Sequence, residues 1–151
     1  MTTKTLSVSA IEEGTVIDHI PRGRALKILQ ILQISKDQPV TLGTGLKSKS
    51  MEYKDLIKIE HCELSASQLK QISVFAPSAT INQIKNFEVV EKRKSQMPEF
   101  MNAILLCPNP KCITRHENIP TKFAMVKNLD SPRLRCLYCE KMFTQEEVRC
   151  E

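Results

Sequence analysis

Apolar positions in the first hundred residues change period several times, and each change predicts an element. Thr15 to Ile20 is a β-branched run closed by Pro21, which predicts a strand leaving through a turn. From Gly23 onward Ala25, Ile28, Leu29 and Leu32 recur at i, i+3, i+4 and i+7, the apolar stripe of a helix, with Gln38-Pro39 as its stop. Val40-Thr41-Leu42 opens a second strand, and the polar stretch from Gly43 to Tyr53 is expected as a loop joining a hairpin. Lys54 to Glu60 then alternates, with Ile57 and Ile59 on one face and Lys54, Leu56, Lys58 and Glu60 on the other. Ser65-Ala-Ser-Gln68 is a capping box, so a second helix is expected from about Ala66 to Phe75, ahead of Pro77. Ala79 to Lys85 and Phe87 to Lys92 predict two further strands joined at Asn86. The alternation of the first is imperfect, because Ile81 and Ile84 fall on opposite faces.

Strand, helix, strand, strand, helix, strand, strand is the order of a ferredoxin-like α/β sandwich, an antiparallel sheet with two helices on one face. Glu91 to Ser95 is polar and Gln96-Met97-Pro98 is stiff, which places a linker there and divides the chain into residues 1–97 and 98–151. In the second part Ala103 to Leu106, Lys122 to Lys127, Leu134 to Cys136 and Met142 to Thr144 are expected as short strands of a zinc-ribbon-like β domain. The fold class is α+β.

Cysteine spacing explains how so short a second domain can fold. Four residues separate Cys107 from Cys112, two separate Cys136 from Cys139, and 23 separate the pairs. Four thiolates at paired spacing close a tetrahedral zinc shell with no position left for water or substrate, so the metal builds structure and performs no chemistry. Free thiols or an iron–sulfur site are the other readings of this ligand set. Zinc binding contributes on the order of 10 kcal/mol to the folding of such a module, which is too small to rely on its core alone. Cys62 and Cys150 fit no pair. The opening MTTKTLSVSA lacks an apolar signal segment, and a reducing cytoplasm is the expected setting. No apolar stretch approaches the roughly 20 residues of a membrane span.

The formal charge is +5, spread over both parts: residues 1–100 carry 14 basic and 11 acidic groups, residues 101–151 carry 8 and 6. A zinc with four thiolates cancels the small excess of the second part. A zinc-ribbon nucleic-acid-binding protein is the alternative reading, but it needs a concentrated basic face with stacking aromatics, and five Phe and two Tyr are few for that purpose. A zinc deaminase fits poorly. His61-Cys62-Glu63 reads H-x-E, yet Arg135 precedes Cys136 where proline belongs, and Cys107 and Cys112 would be left without a role. No phosphate-binding glycine loop can be built from Gly14, Gly23, Gly43 and Gly45. Asp18-His19 is a possible acid–base pair, although neighbours in a strand point to opposite faces. Lys54, Lys58 and Lys92 gather on one predicted sheet and suit an anionic ligand such as a phosphate chain.

Several segments together carry a family resemblance. Ala10-Ile11 with Gly14 to Pro21, Lys54 to Glu60, Ala76-Pro with Ala79 to Asn82, Glu88-Val-Val90, Cys107-Pro-Asn and Cys136-x-Tyr-Cys-Glu-Lys141 resemble the regulatory chain of aspartate carbamoyltransferase, in family order and over essentially the whole chain. The resemblance implies a non-catalytic subunit of pyrimidine biosynthesis. Residues 1–97 would be an allosteric domain that forms homodimers and binds CTP and ATP, with UTP acting beside CTP in some members. Residues 98–151 would be a zinc domain contacting the catalytic chain, in an assembly of two catalytic trimers and three regulatory dimers. The nucleotide site it implies comprises Ala10, Ile11, Val16, Asp18, His19, Lys58, Asn82, Ile84, Val89 and Lys92, with Lys54 at the phosphate end. Phe87 stands where the family usually has tyrosine. Asn109, Glu140 and Lys141 match positions placed against the catalytic chain, and Lys111 replaces an asparagine there.

Overall fold

The computed structural model describes residues 10–127 and 131–150, so the opening segment read for signal features lies outside it except for Ala10. Five strands, β1 (Gly14–Pro21), β2 (Val40–Ser48), β3 (Glu52–Glu60), β4 (Thr80–Lys85) and β5 (Glu88–Lys94), form one antiparallel sheet in the order β2-β3-β1-β4-β5. Helices α1 (Ala25–Leu32) and α2 (Ala66–Phe75) touch each other and bury Ile28, Ile72 and Phe75 in one core with Ile17, Ile57, Ile59 and Ile81. The split β-α-β order is therefore as expected, with β5 added beyond β4. The second helix begins at its capping box: the Gln68 N–H donates to Ser65 Oγ at 3.2 Å and the Ser65 N–H to Gln68 Oε1 at 2.9 Å.

Three boundaries differ from the sequence expectation. Helix α1 stops at Leu32, because Gln33 takes a left-handed conformation (φ 50) that ends the helix well before Gln38-Pro39. Most of the Gly43 to Tyr53 stretch is strand: β2 runs to Ser48, β3 starts at Glu52, and a bulge between Gly43 and Leu46 absorbs the irregular glycines. The expected linker from Glu91 to Ser95 is largely β5, and the Ser95 N–H still donates to the Ala79 carbonyl at 2.8 Å. Every residue of β5 is exposed, and its Glu-Lys-Arg-Lys run suits an edge that must not pair with other chains.

Alternation along β3 turns Asp55 to the same inward side as Ile57 and Ile59. It is fully buried, and its carboxylate accepts three backbone N–H bonds: Oδ2 from Gly23 (2.8 Å) and Ala25 (3.2 Å), Oδ1 from Gly45 (2.9 Å). The N-cap Arg24 supplies no side-chain cap, so a carboxylate from another strand satisfies the orphan donors at the start of α1 and meets the positive end of its dipole.

The second half contains β6 (Phe100–Asn102), β7 (Leu105–Leu106), β8 (Lys122–Val126), β9 (Arg133–Cys136), β10 (Met142–Phe143) and β11 (Arg149–Cys150). Four of them form a sheet in the order β10-β9-β8-β6, and β11 pairs with β7. Met101, Leu105, Phe123, Leu134 and Val148 are fully buried apolar residues of this half, beside the cysteines. Strands β6 and β11 have no counterpart in the sequence reading; two or three residues are too few to show a period.

The halves meet where α1 and the end of α2 face residues 145–148. Arg24 donates to the Phe75 carbonyl and to Glu146 Oε1, both at 2.7 Å. Lys27 Nζ donates to the carbonyl of Gln145 at 3.0 Å, and buried Gln145 donates to the Val74 carbonyl at 2.7 Å.

Replacing Asp55 by alanine leaves three N–H groups without their acceptor, and hydrogen bonds to a charged group are worth about 1.5–3 kcal/mol each. Asp55→Ala is therefore expected to lower urea-unfolding stability of the first half by at least about 3 kcal/mol while metal content stays unchanged. A loss below about 1 kcal/mol would contradict the role given to this carboxylate.

Candidate functional site

The helix-free face of the five-stranded sheet holds a cavity of about 470 Å³, within the range of small-molecule sites. Antiparallel register builds it. Lys58 of β3 pairs with Val16 of β1, Val16 with Asn82 of β4, and Asn82 with Lys92 of β5, so one row of the sheet carries these four side chains on one face. Ala10, Ile11, Val16, Asp18, Lys54, Lys58, Asn82, Ile84 and Val89 line the cavity. Lys92 continues the row without being part of the lining. Imperfect alternation in β4 has its cause here: Ile81 packs in the helix-side core, whereas Ile84, past a bulge at Gln83, faces the cavity.

Asp18 and His19 correct a rule of alternation. A register shift in β1 between Ile17 and Ile20, with His19 in a left-handed conformation (φ 57), brings the two together instead of apart. The His19 N–H donates to Asp18 Oδ1 at 2.7 Å, and the imidazole Nδ1 lies 4.0 Å from Asp18 Oδ2 and 3.2 Å from Thr80 Oγ1. His19 stands beside the cavity lining, attached to it through Asp18. Lys54 Nζ is 2.8 Å from Asp18 Oδ1, an ion pair at the cavity wall.

Leu46, Lys47 and Leu56 complete the lining, together with Phe87 at the rim. Leu46 and Lys47 escaped the sequence reading because Gly43 and Gly45 made β2 resemble a loop. Phe87 sits in a tight turn with Asn86, both at positive φ, and is strongly exposed. Three lysines against one aspartate give the cavity a positive potential. Burial pushes the Lys58 pKa below its ordinary value, and the charge of Asp18 opposes that shift only in part. An anion entering the cavity would be drawn by this positive potential.

The second candidate centre is the cysteine quartet. Cys107, Cys112, Cys136 and Cys139 place their sulfurs within 4.8 Å of one another, with Cys107 and Cys139 at 3.6 Å and Cys112 and Cys136 at 3.8 Å. A tetrahedron of about 2.3 Å metal–sulfur bonds has edges near 3.8 Å, which the two closest pairs match, so the arrangement suits a tetrahedral metal such as zinc. Burial pushes the Cys107 and Cys136 thiols up. For Cys139 burial acts in the same direction, but the Lys141 N–H and the Asn109 side chain outweigh it and bring the thiol down to about 7. Four thiolates need a cation in their midst, and its capture expels the protons. All four sulfurs serve as ligands, so such a centre holds structure only.

The two centres lie in segments that two family models match separately. The family model described as "Aspartate carbamoyltransferase regulatory chain, allosteric domain" matches residues 6–96, and the one described as "Aspartate carbamoyltransferase regulatory chain, metal binding domain" matches residues 99–149. The chain belongs to the aspartate carbamoyltransferase regulatory chain family. Relatives bearing that name from Photobacterium profundum and Escherichia coli O139:H28 are each 44% identical over 144 residues, covering 95% of this chain and 94% of theirs. One from Pyrococcus horikoshii is 44% identical over 146 residues, covering 95% of both.

Within the metal-binding domain the metal knuckles carry the remaining predicted positions. Asn109 is buried, and its Oδ1 accepts from the Lys111 N–H at 3.1 Å, so its side chain shapes the first knuckle. Lys111, Glu140 and Lys141 are exposed beside it; Glu140 has positive φ (63) and pairs with Arg135 at 3.2 Å. Ile113, Leu137, Tyr138 and Met142 are large apolar residues exposed on the same domain. No helix among the described residues is long and apolar enough to cross a membrane.

Chelation of the metal is expected to raise the number of fast-reacting thiols per chain by at least four, the half-buried Cys150 of β11 adding to the four ligands, and to remove the native signals of the metal-binding domain, while α1 and α2 persist. Thiol titration and NMR before and after chelation check this. Retention of the β8–β9 signals with four reactive thiols would refute a metal-dependent domain.

Proposed function

We propose that this chain is the non-catalytic regulatory subunit of an aspartate carbamoyltransferase, controlling a catalytic chain in pyrimidine biosynthesis from a nucleotide site in its allosteric domain. The carrying observation is the lysine-lined cavity, built by sheet register from positions that match the family's nucleotide site. CTP and ATP are its ligands, with UTP beside CTP as a further effector. Backbone groups near Ile11 and Val89 read the base, Asp18 accepts from ribose hydroxyls, and Lys58, Lys92 and Lys54 meet the phosphates, with His19 held at the edge by Asp18. Phe87 provides no hydroxyl at a position where tyrosine is usual, and base preference is set without that hydrogen bond.

The ion in the cysteine shell is a single structural zinc. It holds Asn109, Lys111, Glu140 and Lys141 toward the catalytic chain, and the exposed Ile113, Leu137, Tyr138 and Met142 supply apolar area for that contact. The allosteric domains, residues 1–97, pair as homodimers, and three such dimers join two catalytic trimers in the cytoplasm. Neither nucleic acid nor membrane has a part. Nucleotide binding biases the orientation of residues 98–151 through α1, with a coupling of about 1–3 kcal/mol between the assembly states.

Lys58→Ala is expected to weaken CTP binding about tenfold or more, corresponding to about 1.4 kcal/mol, by isothermal titration. The pH dependence has a definite sign. Triphosphate favours protonated Lys58, so affinity is full below the free-state pKa of this lysine and falls as pH rises through it. Because that pKa lies below the ordinary lysine value, the fall begins earlier than for an exposed lysine. Lys58→Gln should abolish this alkaline limb; an unchanged Kd and pH profile would show that CTP binds elsewhere.

For the partner contact, verified zinc removal is expected to separate the regulatory chain from the catalytic trimers in native mass measurements. An assembly that stays intact without metal would rule out a zinc-held interface.

A further inference from the structure

The opposite face of the allosteric domain has a second concavity, of about 220 Å³, between α2 and the end of β5. Leu69 of α2, Ile81 of β4 and Pro98 give it an apolar floor, and Lys70 and Lys94 stand at its rim. Neither lysine has a carboxylate partner among the described residues. Arg93, which also borders it, is held by Glu91 at 2.7 Å and so has less charge to offer.

Ser95 is the unusual member of the lining. Its N–H is bonded to the Ala79 carbonyl, which fixes the residue at the exit of β5, and only 6% of it is exposed. Its hydroxyl is buried with no hydrogen-bond partner among the described residues. Ser73, its neighbour in the lining, shows the contrast: that hydroxyl donates to the Lys70 carbonyl at 2.6 Å and is spent. A buried hydroxyl without a partner is a net cost to the fold, and sites that persist with such groups are candidates for an unaccounted ligand.

We infer that this concavity is a second ligand site, for a small organic carboxylate with an apolar body. The apolar part would cover Leu69, Ile81 and Pro98, and the carboxylate would sit between the ammonium groups of Lys70 and Lys94, accepting from the Ser95 hydroxyl once that side chain turns about χ1 from its sealed position into the concavity. Its volume is less than half that of the cavity on the other face, too small for a nucleoside triphosphate. A bare inorganic anion would leave the apolar floor uncovered. The site lies on the helix side of the sheet and shares no lining residue with the first cavity.

Benzoate titrated into the metal-loaded regulatory chain is the test, with inorganic phosphate as the control for charge alone. Saturable NMR shifts confined to Lys70, Lys94, Ser95 and Gln96 are expected with benzoate and not with phosphate. Ser95→Ala is expected to weaken benzoate at least fivefold and, with no ligand present, to raise Tm by removing a buried polar group that has no partner. Lys94→Gln, a surface change, should also weaken binding while leaving Tm within a degree or two of the parent. Absence of saturation at these residues, equal shifts with phosphate, or a Ser95→Ala chain that loses Tm and binds benzoate as before would each overturn the proposal.

Discussion

A single buried carboxylate sets the geometry of the allosteric domain. Asp55 sits between two register shifts, one in β1 between Ile17 and Ile20 and one in β2 between Gly43 and Leu46, and its two oxygens bond into both neighbourhoods. An ionised group in this position would be prohibitive without compensation. Three N–H donors and the N-terminus of α1 provide it, and in return each donor is held in one place. The bulges then determine what faces the cavity. The β1 shift brings His19 against Asp18 and leaves Asp18 in reach of Lys54, and the β2 shift delivers Leu46 and Lys47 to the same wall. Core, helix start and cavity thus share one electrostatic anchor.

The metal-binding domain is organised on a different principle. Its strands are two to five residues long, and its fully buried apolar side chains are few. Burial at about 25 cal/mol per Å² cannot offset the ordering of some 50 residues on such a core. Four sulfurs arranged for a metal add the missing stability, and they also dictate the conformation of the knuckles, where Glu140 is held at positive φ and the Asn109 side chain is divided between the Lys111 N–H and Cys139. Asn109 therefore acts mainly by shaping the loop that presents Lys111, whereas Glu140 and Lys141 keep free faces.

The sequence was most legible where one local rule operates alone. The capping box placed α2 to the residue, and the alternation of β3 placed Lys54 and Lys58 together, because each rests on neighbours in sequence. It was least legible where a tertiary contact overrides the local rule. Gly43 and Gly45 signal a loop, yet Asp55, ten residues after Gly45, takes its N–H and stabilises a bulged strand. Alternation separates Asp18 from His19, and the β1 bulge reverses it. Gln38-Pro39 is the stop that the sequence offers for α1, but the left-handed Gln33 ends the helix before it. Of the positions proposed for the nucleotide site, Lys54, Lys58 and Lys92 stood out by pattern, whereas Ala10, Ile11 and Val89 were reached only through family resemblance, since they carry no chemical signal of their own.

Any message passing from the first cavity to the metal-binding domain has to cross a narrow joint, and the strengths of its contacts are unequal. Arg24 to Glu146 is the shortest ion pair in it, but Glu146 is largely exposed, and such pairs contribute about 0–1 kcal/mol. Gln145 is buried, and losing its bond to the Val74 carbonyl would leave an amide and a carbonyl unsatisfied at about 1–3 kcal/mol. Lys27 adds a second tie from α1, with Nζ on the Gln145 carbonyl and 4.5 Å from the centroid of the Phe75 ring. The joint is therefore governed by Gln145 and Lys27, with Arg24 as a guide. Both Arg24 and Lys27 sit in or beside the first turn of α1, the turn whose N–H groups Asp55 holds, and only the turn residues Arg22 and Gly23 separate Arg24 from the Pro21 end of β1, the strand that carries Asp18. Asp18 is therefore joined to Arg24 by five residues, the last three of β1 and the two of the turn.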